Sequence, residues 1–173
     1  MMKAVLLSIR PEWCKKIASG QKTVEVRKTC PVHGTPFKVY VYCTKSKSKT
    51  GWLIIVPGKG WRRLDGNVIG EFTCDRIDKL VHIGTMMDIN ILTLDGWYKP
   101  ADALLQAACL TEETAKKYLQ GRNGYGWHIS DLKIYDQTRE LRAFTGLQST
   151  RFGMRPMEIT RPPQSWRYVE DGR

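Results

Sequence analysis

The stretch best suited to chemistry is GQKTVEVR, residues 20–27, which brings Lys22, Glu25 and Arg27 close together. A lysine can lose its charge when it is removed from water, whereas arginine stays charged and grips a carboxylate or phosphate through two hydrogen bonds. Lys22 could therefore act as a base, and Arg27 only as an anion clamp. The same spacing also fits an ordinary ion pair between Glu25 and Arg27 on a strand surface, with Lys22 in solvent.

A further carboxylate, Glu71, lies in the later run IGEFTCDRI, where apolar residues occupy both alternating sets of positions. A buried carboxylate is costly unless a cation or a hydrogen-bond donor meets it. We therefore expect Glu71 to face Lys22 and Arg27. Together these residues would line an anion-holding or nucleotide-holding cleft.

A second candidate contact surface lies in the basic stretch at residues 44–66. Tryptophan can stack on a base while neighbouring guanidinium groups hold phosphate. A solvated loop and a tryptophan that packs the stretch internally are the alternative interpretations. The candidate residues are Lys45, Lys47, Lys49, Trp61, Arg62 and Arg63.

The run GYGWHIS supplies further candidates for lining a cleft, namely Tyr125, Trp127 and His128. Alternation along a strand places Tyr125 and Trp127 on one face. For large aromatic residues on one strand face, packing in the core is the default.

A metal site has little support in the sequence. Cys30 and His33, in CPVH, have a spacing that occurs in zinc sites, and Cys43 or Cys74 could complete the set. Structural zinc normally uses two close ligand pairs, and the sequence offers one. We therefore predict no metal and no cofactor, and we interpret Cys43 and Cys74 as small core residues.

Composition favours a polyanionic partner. The 173 residues hold 28 lysines and arginines against 17 aspartates and glutamates, a net charge of +11. Such a balance points to nucleic acid, RNA before DNA or a nucleotide. The five cysteines are irregularly spaced, which is typical of a reducing cytoplasm. The apolar stretch at the start of the sequence is too short for a signal peptide, and no apolar run is long enough to span a membrane. We therefore expect a soluble cytoplasmic protein.

The elements that must position these residues are mostly short strands with inserted helices. Periodicity predicts a helix from Pro11 to a glycine cap at Gly20, and two short helices at 101–110 and 111–120. It predicts strands at 4–9, 22–27, 37–43, 67–80, 126–135 and 166–169, and irregular structure at 145–166. We expect an α+β fold in one domain, a small mixed β-barrel with flanking short helices, carrying residues 44–66 as an insertion or hairpin extension.

GQKTVEVR resembles the G-x-K-x-x-E-x-R signature of the ASCH domain, and its setting after a strand and a short helix is similar too. IGEFTCDRI, GYGWHISDLKIYD and RPPQSW extend the resemblance over most of the chain. The resemblance implies a PUA-like β-barrel and an RNA-binding or nucleic-acid-associated module. Gly20, Lys22, Glu25 and Arg27 match the signature, and Glu71 matches an acidic position on a later strand.

The resemblance also leaves an enzymatic alternative open. Some small ASCH proteins look like amidohydrolases of acetylated cytidine that use a lysine, a threonine three positions later and a glutamate. Lys22 and Glu71 would fill two of these roles, but Glu25 stands where the threonine is expected, and Thr23 would sit roughly 6 to 7 Å from that point. RNA cleavage, reported of some relatives, is a further alternative, in which Lys22 and Arg27 would hold phosphate. A binding module is favoured, and a catalytic set would be Lys22, Glu25 and Glu71.

Overall fold

The computed structural model describes residues 3–48, 51–56, 60–84 and 86–172. By chain order the elements are β1 (Lys3–Ile9), α1 (Pro11–Ala18), β2 (Val24–Arg27), β3 (Phe37–Cys43), β4 (Leu53–Val56), β5 (Gly60–Arg63), β6 (Val68–Ile83), β7 (Asp88–Leu92), β8 (Tyr98–Pro100), α2 (Asp102–Ala107), α3 (Glu112–Leu119), β9 (Gly124–Arg139), a 3-10 turn (Leu141–Ala143), β10 (Thr145–Thr150), β11 (Gly153–Glu158) and β12 (Trp166–Glu170). The predicted α+β class is confirmed. No helix in these ranges is long and apolar enough to cross a bilayer.

Most strands belong to one mixed sheet with the order β11-β10-β12-β1-β3-β6-β7-β8, in which β9 pairs with both β2 and β6. The order does not return to its start, so the predicted closed barrel is wrong. Both end strands of this order contain a proline. Pro156 lies in β11 and Pro100 in β8, and a residue without an N–H suits an edge strand, where no further ladder forms.

The chain divides into two compact units, which are described separately. The first unit comprises residues up to 18, residues 37–73 and residues from 131 onward. Its core is built on β1 and β3, which pair in parallel and are buried along nearly their whole length. One cluster in this core consists of Ala4, Leu6, Tyr40, Tyr42, Val68, Phe144, Ile159 and Val169.

Gly70 of β6 shows why this unit needs a glycine inside a strand. A Cβ atom built on Gly70 would lie 2.4 Å from the backbone oxygen of Lys133 in β9. No side chain can occupy that space unless the backbone moves. The sequence predicts a bulge or a sharp bend at Gly70, and the requirement in the structure is the close approach of two backbones.

The second unit comprises residues 19–36 and 74–130. Its core joins the valines of β2 to α2, α3 and β7, in a cluster of Val24, Val26, Leu80, Ile89, Ile91, Ala101, Leu104, Leu105, Ala108, Ala115 and Leu119. Thr111 begins α3 with a capping box, because its side chain accepts from the Thr114 N–H while Thr114 accepts from the Thr111 N–H. Gly20 has φ +75°, the left-handed conformation expected of a residue that follows a helix.

The prediction of irregular structure at 145–166 is wrong over most of its length. Residues 145–150 and 153–158 form the antiparallel hairpin β10–β11, in continuous register from Thr145 with Glu158 to Thr150 with Gly153. Glycine and proline favour a loop in the sequence, but in the structure Gly153 lies at the turn with a positive φ and Pro156 lies on an edge strand. The extension at 44–66 does contain a hairpin, because β4 and β5 pair in a separate two-stranded sheet.

Candidate nucleic-acid interface

The signature residues meet in the second unit, where Glu25 bridges two cations. Its carboxylate lies 3.2 Å from Lys22 Nζ and 2.8 Å from Arg27 Nη2. Lys22 Nζ also donates to the backbone oxygen of Ala108, at 2.7 Å, just after α2. The sequence thus places these three residues together correctly. We refer to Lys22, Glu25 and Arg27 as the ion triad.

The ion triad is buried, with relative exposures between 3% and 9%. Two cations and one carboxylate leave a surplus of one positive charge. Because a buried charge is expensive unless it is paired, the arrangement depends on Glu25 holding both cations. The interpretation as an exposed strand-surface pair with a solvated lysine does not describe this structure.

An aromatic residue and a further cation lie beside the ion triad. Tyr118 of α3 is partly exposed, and the charges of Arg27 and Glu25 both act on its hydroxyl. Burial raises the pKa of Tyr118, Arg27 opposes that shift and Glu25 reinforces it. Lys28 Nζ lies 5.2 Å from the centre of the Tyr118 ring, within the range of a cation–π contact. The surface next to the triad therefore carries a ring and a positive charge.

Glu71 lies in the first unit, on β6, and its carboxylate accepts a hydrogen bond from the hydroxyl of Tyr135 on β9. Burial and then this hydrogen bond raise the pKa of Tyr135, so the phenol keeps its proton. The half-buried Glu71 carboxylate thus has a hydrogen-bond donor, as the argument from the sequence requires. The donor is Tyr135, which the sequence analysis did not propose. The proposed pairing of Glu71 with Lys22 and Arg27 stays a prediction.

The extension at residues 44–66, called the basic extension below, is organised around the buried carboxylate of Asp65. Asp65 accepts from the backbone N–H groups of Ser46 and Trp52, at 2.7 and 2.8 Å, and from Arg63 through Nε and Nη2, at 2.9 and 2.8 Å. Burial alone would raise the pKa of Asp65, but these donors outweigh it and lower the pKa to about 2. Asp65 thus ties the loop after β3 to the hairpin, and Arg63 is committed to that role.

The other candidates in the extension differ in how available they are. Arg62 donates to the backbone oxygen of Asp136 and to Thr138 Oγ1 on β9. Trp61 is 70% exposed, so it does not pack the hairpin internally. Lys45 lies along Gly66, Lys47 is exposed, and Lys49 falls outside the described residues.

Two further hairpins expose aromatic rings beside cations, and sequence reasoning missed both. At the β10–β11 turn of the first unit, Phe152 is 85% exposed and the guanidinium of Arg151 lies 4.5 Å from its ring centre. At the β7–β8 turn of the second unit, Trp97 and Tyr98 are exposed and Lys99 follows them. An aromatic residue with a glycine and a cation within two positions, as in TRFG and DGWYK, is the signal that could have found them.

The remaining candidate residues mainly have structural roles. Trp127 is completely buried, the default for such a residue, and Cys43 and Cys74 are buried as predicted. Burial raises the pKa of the Cys30 thiol, and Lys79 lowers it by a smaller amount. Within the described ranges, no group of three or more histidine, cysteine, aspartate or glutamate side chains is placed to hold a metal ion. All five cysteines are free thiols.

Known structures identify the class of fold. The chain is similar to the crystal structure of the ASCH protein from Zymomonas mobilis, with 18% identity and a TM-score of 0.56, over 97% of this chain and 88% of that one. A Tyr-to-Phe variant of that protein matches with 17% identity and a TM-score of 0.53, over 97% of this chain and 91% of the variant. A Ser-to-Ala variant matches with 17% identity and a TM-score of 0.54, over 97% of this chain and 89% of the variant. No protein-family model matches the sequence, and no curated protein matches it. The chain therefore has the ASCH fold, and the resemblance seen in GQKTVEVR is confirmed at that level.

Proposed function

We propose that this protein is a PUA-like member of the ASCH family that binds single-stranded RNA. The observation that carries the proposal is the repeated exposure of an aromatic ring beside a cation at hairpins. Trp61, Phe152 and Trp97 are each at least 70% exposed, and each has a lysine or arginine within two positions in the sequence. Rings that stack on bases, next to cations that hold phosphates, are how proteins grip single strands without reading their sequence.

The net charge of +11 supports the same proposal. Phosphate neutralisation by lysine and arginine supplies most of the affinity for nucleic acid and steers the encounter. Arg62 is hydrogen-bonded to β9 and Arg63 to Asp65, so in this proposal Trp61 and the lysines of the extension make the direct contacts. The ion triad would fix the wall next to Tyr118 and Lys28, and its surplus charge would add to the local positive potential.

The experiment is a fluorescence-anisotropy titration of labelled single-stranded RNA against wild type, Trp61→Ala and Trp61→Phe. Stacking on one base contributes about 1–3 kcal/mol, so loss of the ring weakens binding by a factor of about 5 to about 150. Phenylalanine keeps a ring and should restore most of the affinity. The matched control is Val32→Ala, which truncates an exposed apolar side chain that has no ring and lies outside the three hairpins. Equal affinities for all four proteins would refute the stacking role.

The same samples test the enzymatic alternative, a small hydrolase that acts on RNA or on acetylated cytidine. Gel electrophoresis of the RNA after each titration shows whether the strand stays intact, and chromatography of the free nucleoside shows whether an acyl group is released. An intact strand and an unchanged nucleoside, together with saturable binding, are the results that the binding proposal predicts. Turnover that is lost in Lys22→Met would favour the hydrolase instead.

A further inference from the structure

A second polar cluster lies in the second unit, apart from the residues used so far. His128 of β9 contacts two side chains of β6, Asp78 and Arg76. Its Nε2 is 2.8 Å from Asp78 Oδ2, and Arg76 Nη2 is 3.0 Å from Nε2 and 3.3 Å from Nδ1. Arg76 is also 3.6 Å from Asp78 Oδ2. His128 and Asp78 are mostly buried, while the Arg76 side chain is 65% exposed.

The hydrogen bonds define the neutral state of this cluster. A carboxylate only accepts, so Nε2 carries the hydrogen that is donated to Asp78. Nδ1 then presents a lone pair in the ring plane. Arg76 Nη2 is nearly equidistant from the two ring nitrogens, so it lies against the ring and leaves that lone pair without an in-line donor from Arg76. In this state the charges of Arg76 and Asp78 cancel.

A proton added to Nδ1 changes the balance. The imidazolium keeps its bond to Asp78, but Nδ1–H and the Arg76 guanidinium are now two donors without an acceptor between them, and the cluster carries a charge of +1. A phosphate oxygen would accept from both donors and neutralise the surplus, in the charge-assisted geometry that arginine and anions favour. Arg76 is exposed enough to turn toward such a ligand.

We propose that Arg76 and His128, with Asp78 as the counterion, form a proton-coupled clamp for a phosphate group. This proposal rests on the proposed RNA binding for its ligand, because a phosphodiester carries the single negative charge that the protonated cluster lacks. The clamp takes up one proton for each phosphate that it binds. RNA should therefore bind more tightly as the pH falls through the range in which histidine gains a proton.

The charged groups that face His128 from β6 are Arg76 and Asp78. The Cys74 thiol donates to the Arg76 backbone oxygen at 3.5 Å, and burial, with help from Asp75, raises the pKa of Cys74 to about 12. On the β2 side, the residue opposite His128 is an apolar one, Val24.

The test is the anisotropy titration of labelled single-stranded RNA at about pH 8 and about pH 6, at constant ionic strength. The proteins are wild type, His128→Gln, Arg76→Gln and, as the matched control, His82→Gln. His82 lies on β6, and its ring nitrogens contact the backbone oxygens of Met87 and Arg122. A histidine in water gains its proton near about pH 6.5, so a site that needs the proton gains up to about 20-fold over this interval.

We expect wild type and His82→Gln to bind several-fold more tightly at the lower pH, and His128→Gln and Arg76→Gln to lose most of that gain. Equal affinity of the wild type at both pH values, or a gain that survives in His128→Gln, would overturn the clamp while leaving RNA binding intact.

A separate arm keeps the clamp testable if RNA binding itself fails or if a variant does not fold. The imidazole nitrogens of the wild type are followed by NMR at constant pH while inorganic phosphate is added. A saturable shift of the His128 resonances toward the protonated form supports the clamp and assigns it to free phosphate groups when RNA does not bind. No shift, in a protein that also shows no pH-dependent RNA binding, overturns it.

Discussion

Asp65 should hold the basic extension in place, and Asp65→Asn tests this. In the folded protein the carboxylate is buried and accepts four hydrogen bonds, two from backbone N–H groups and two from Arg63. In Asp65→Asn, the side-chain NH2 group would face N–H donors where a carboxylate oxygen now accepts, so the hydrogen bonds on that side would be lost. The donors outweigh the cost of burial and lower the pKa of Asp65 from 3.8 to about 2.

The magnitude and the sign follow from that shift. One pKa unit corresponds to about 1.4 kcal/mol, so the ionised Asp65 stabilises the folded state by about 2 kcal/mol at neutral pH. Because the folded pKa lies below the unfolded one, this contribution is complete well above about pH 4 and is lost as the pH falls toward about 2. By about pH 3 roughly half of it should be gone.

The assay is urea unfolding of wild type and Asp65→Asn at about pH 7 and about pH 3. We expect Asp65→Asn to lower the free energy of unfolding by about 2 kcal/mol at neutral pH, with the difference shrinking by about 1 kcal/mol in acid. Asp136→Asn, which neutralises an exposed carboxylate of the same unit, should change little at either pH. A difference that is absent at neutral pH, or that stays constant into acid, would refute the reasoning.

Two further changes of stability follow from the geometry. Gly70→Ala forces a Cβ atom against the backbone oxygen of Lys133, so we expect a loss of about 1–3 kcal/mol in the free energy of unfolding, measured in urea. Glu25→Gln leaves the buried Lys22 and Arg27 without their shared carboxylate, and the same measurement should show a loss of about 3–5 kcal/mol.

Each of these changes has a matched control. Gly172→Ala adds the same methyl group at a glycine with no atom within 4 Å of the added Cβ, and it should be nearly neutral. Glu113→Gln removes an exposed glutamate from the first turn of α3 and should cost a few tenths of a kcal/mol. If the buried and the exposed substitutions have equal effects, the close approach at Gly70 or the pairing within the ion triad is wrongly described.

The sequence predicts well what depends on near neighbours. The strand that carries the signature, the glycine after α1, the cap at Thr111 and the nearness of Lys22, Glu25 and Arg27 all depend on short spacings, although the sequence did not predict that Glu25 holds both cations. Their periodicity and capping chemistry are therefore visible in one stretch of chain.

Contacts between distant segments escape such reasoning. His128 meets Asp78 across 50 positions, and Tyr135 reaches Glu71 across 64. Strand parity says which face a residue takes but not which strand lies alongside. The open sheet was missed for the same reason, because a succession of short strands does not show which strands pair or whether their order closes on itself.

The most direct measurement of the central claim is the affinity of the wild-type protein for labelled single-stranded RNA across a salt series. Contacts with at least three phosphates predict that log K falls linearly with log salt, with a slope of about −2 or steeper. Saturable binding with that slope is the result we expect. No binding at low salt, or binding whose affinity is independent of salt, would contradict the proposal that this protein binds RNA.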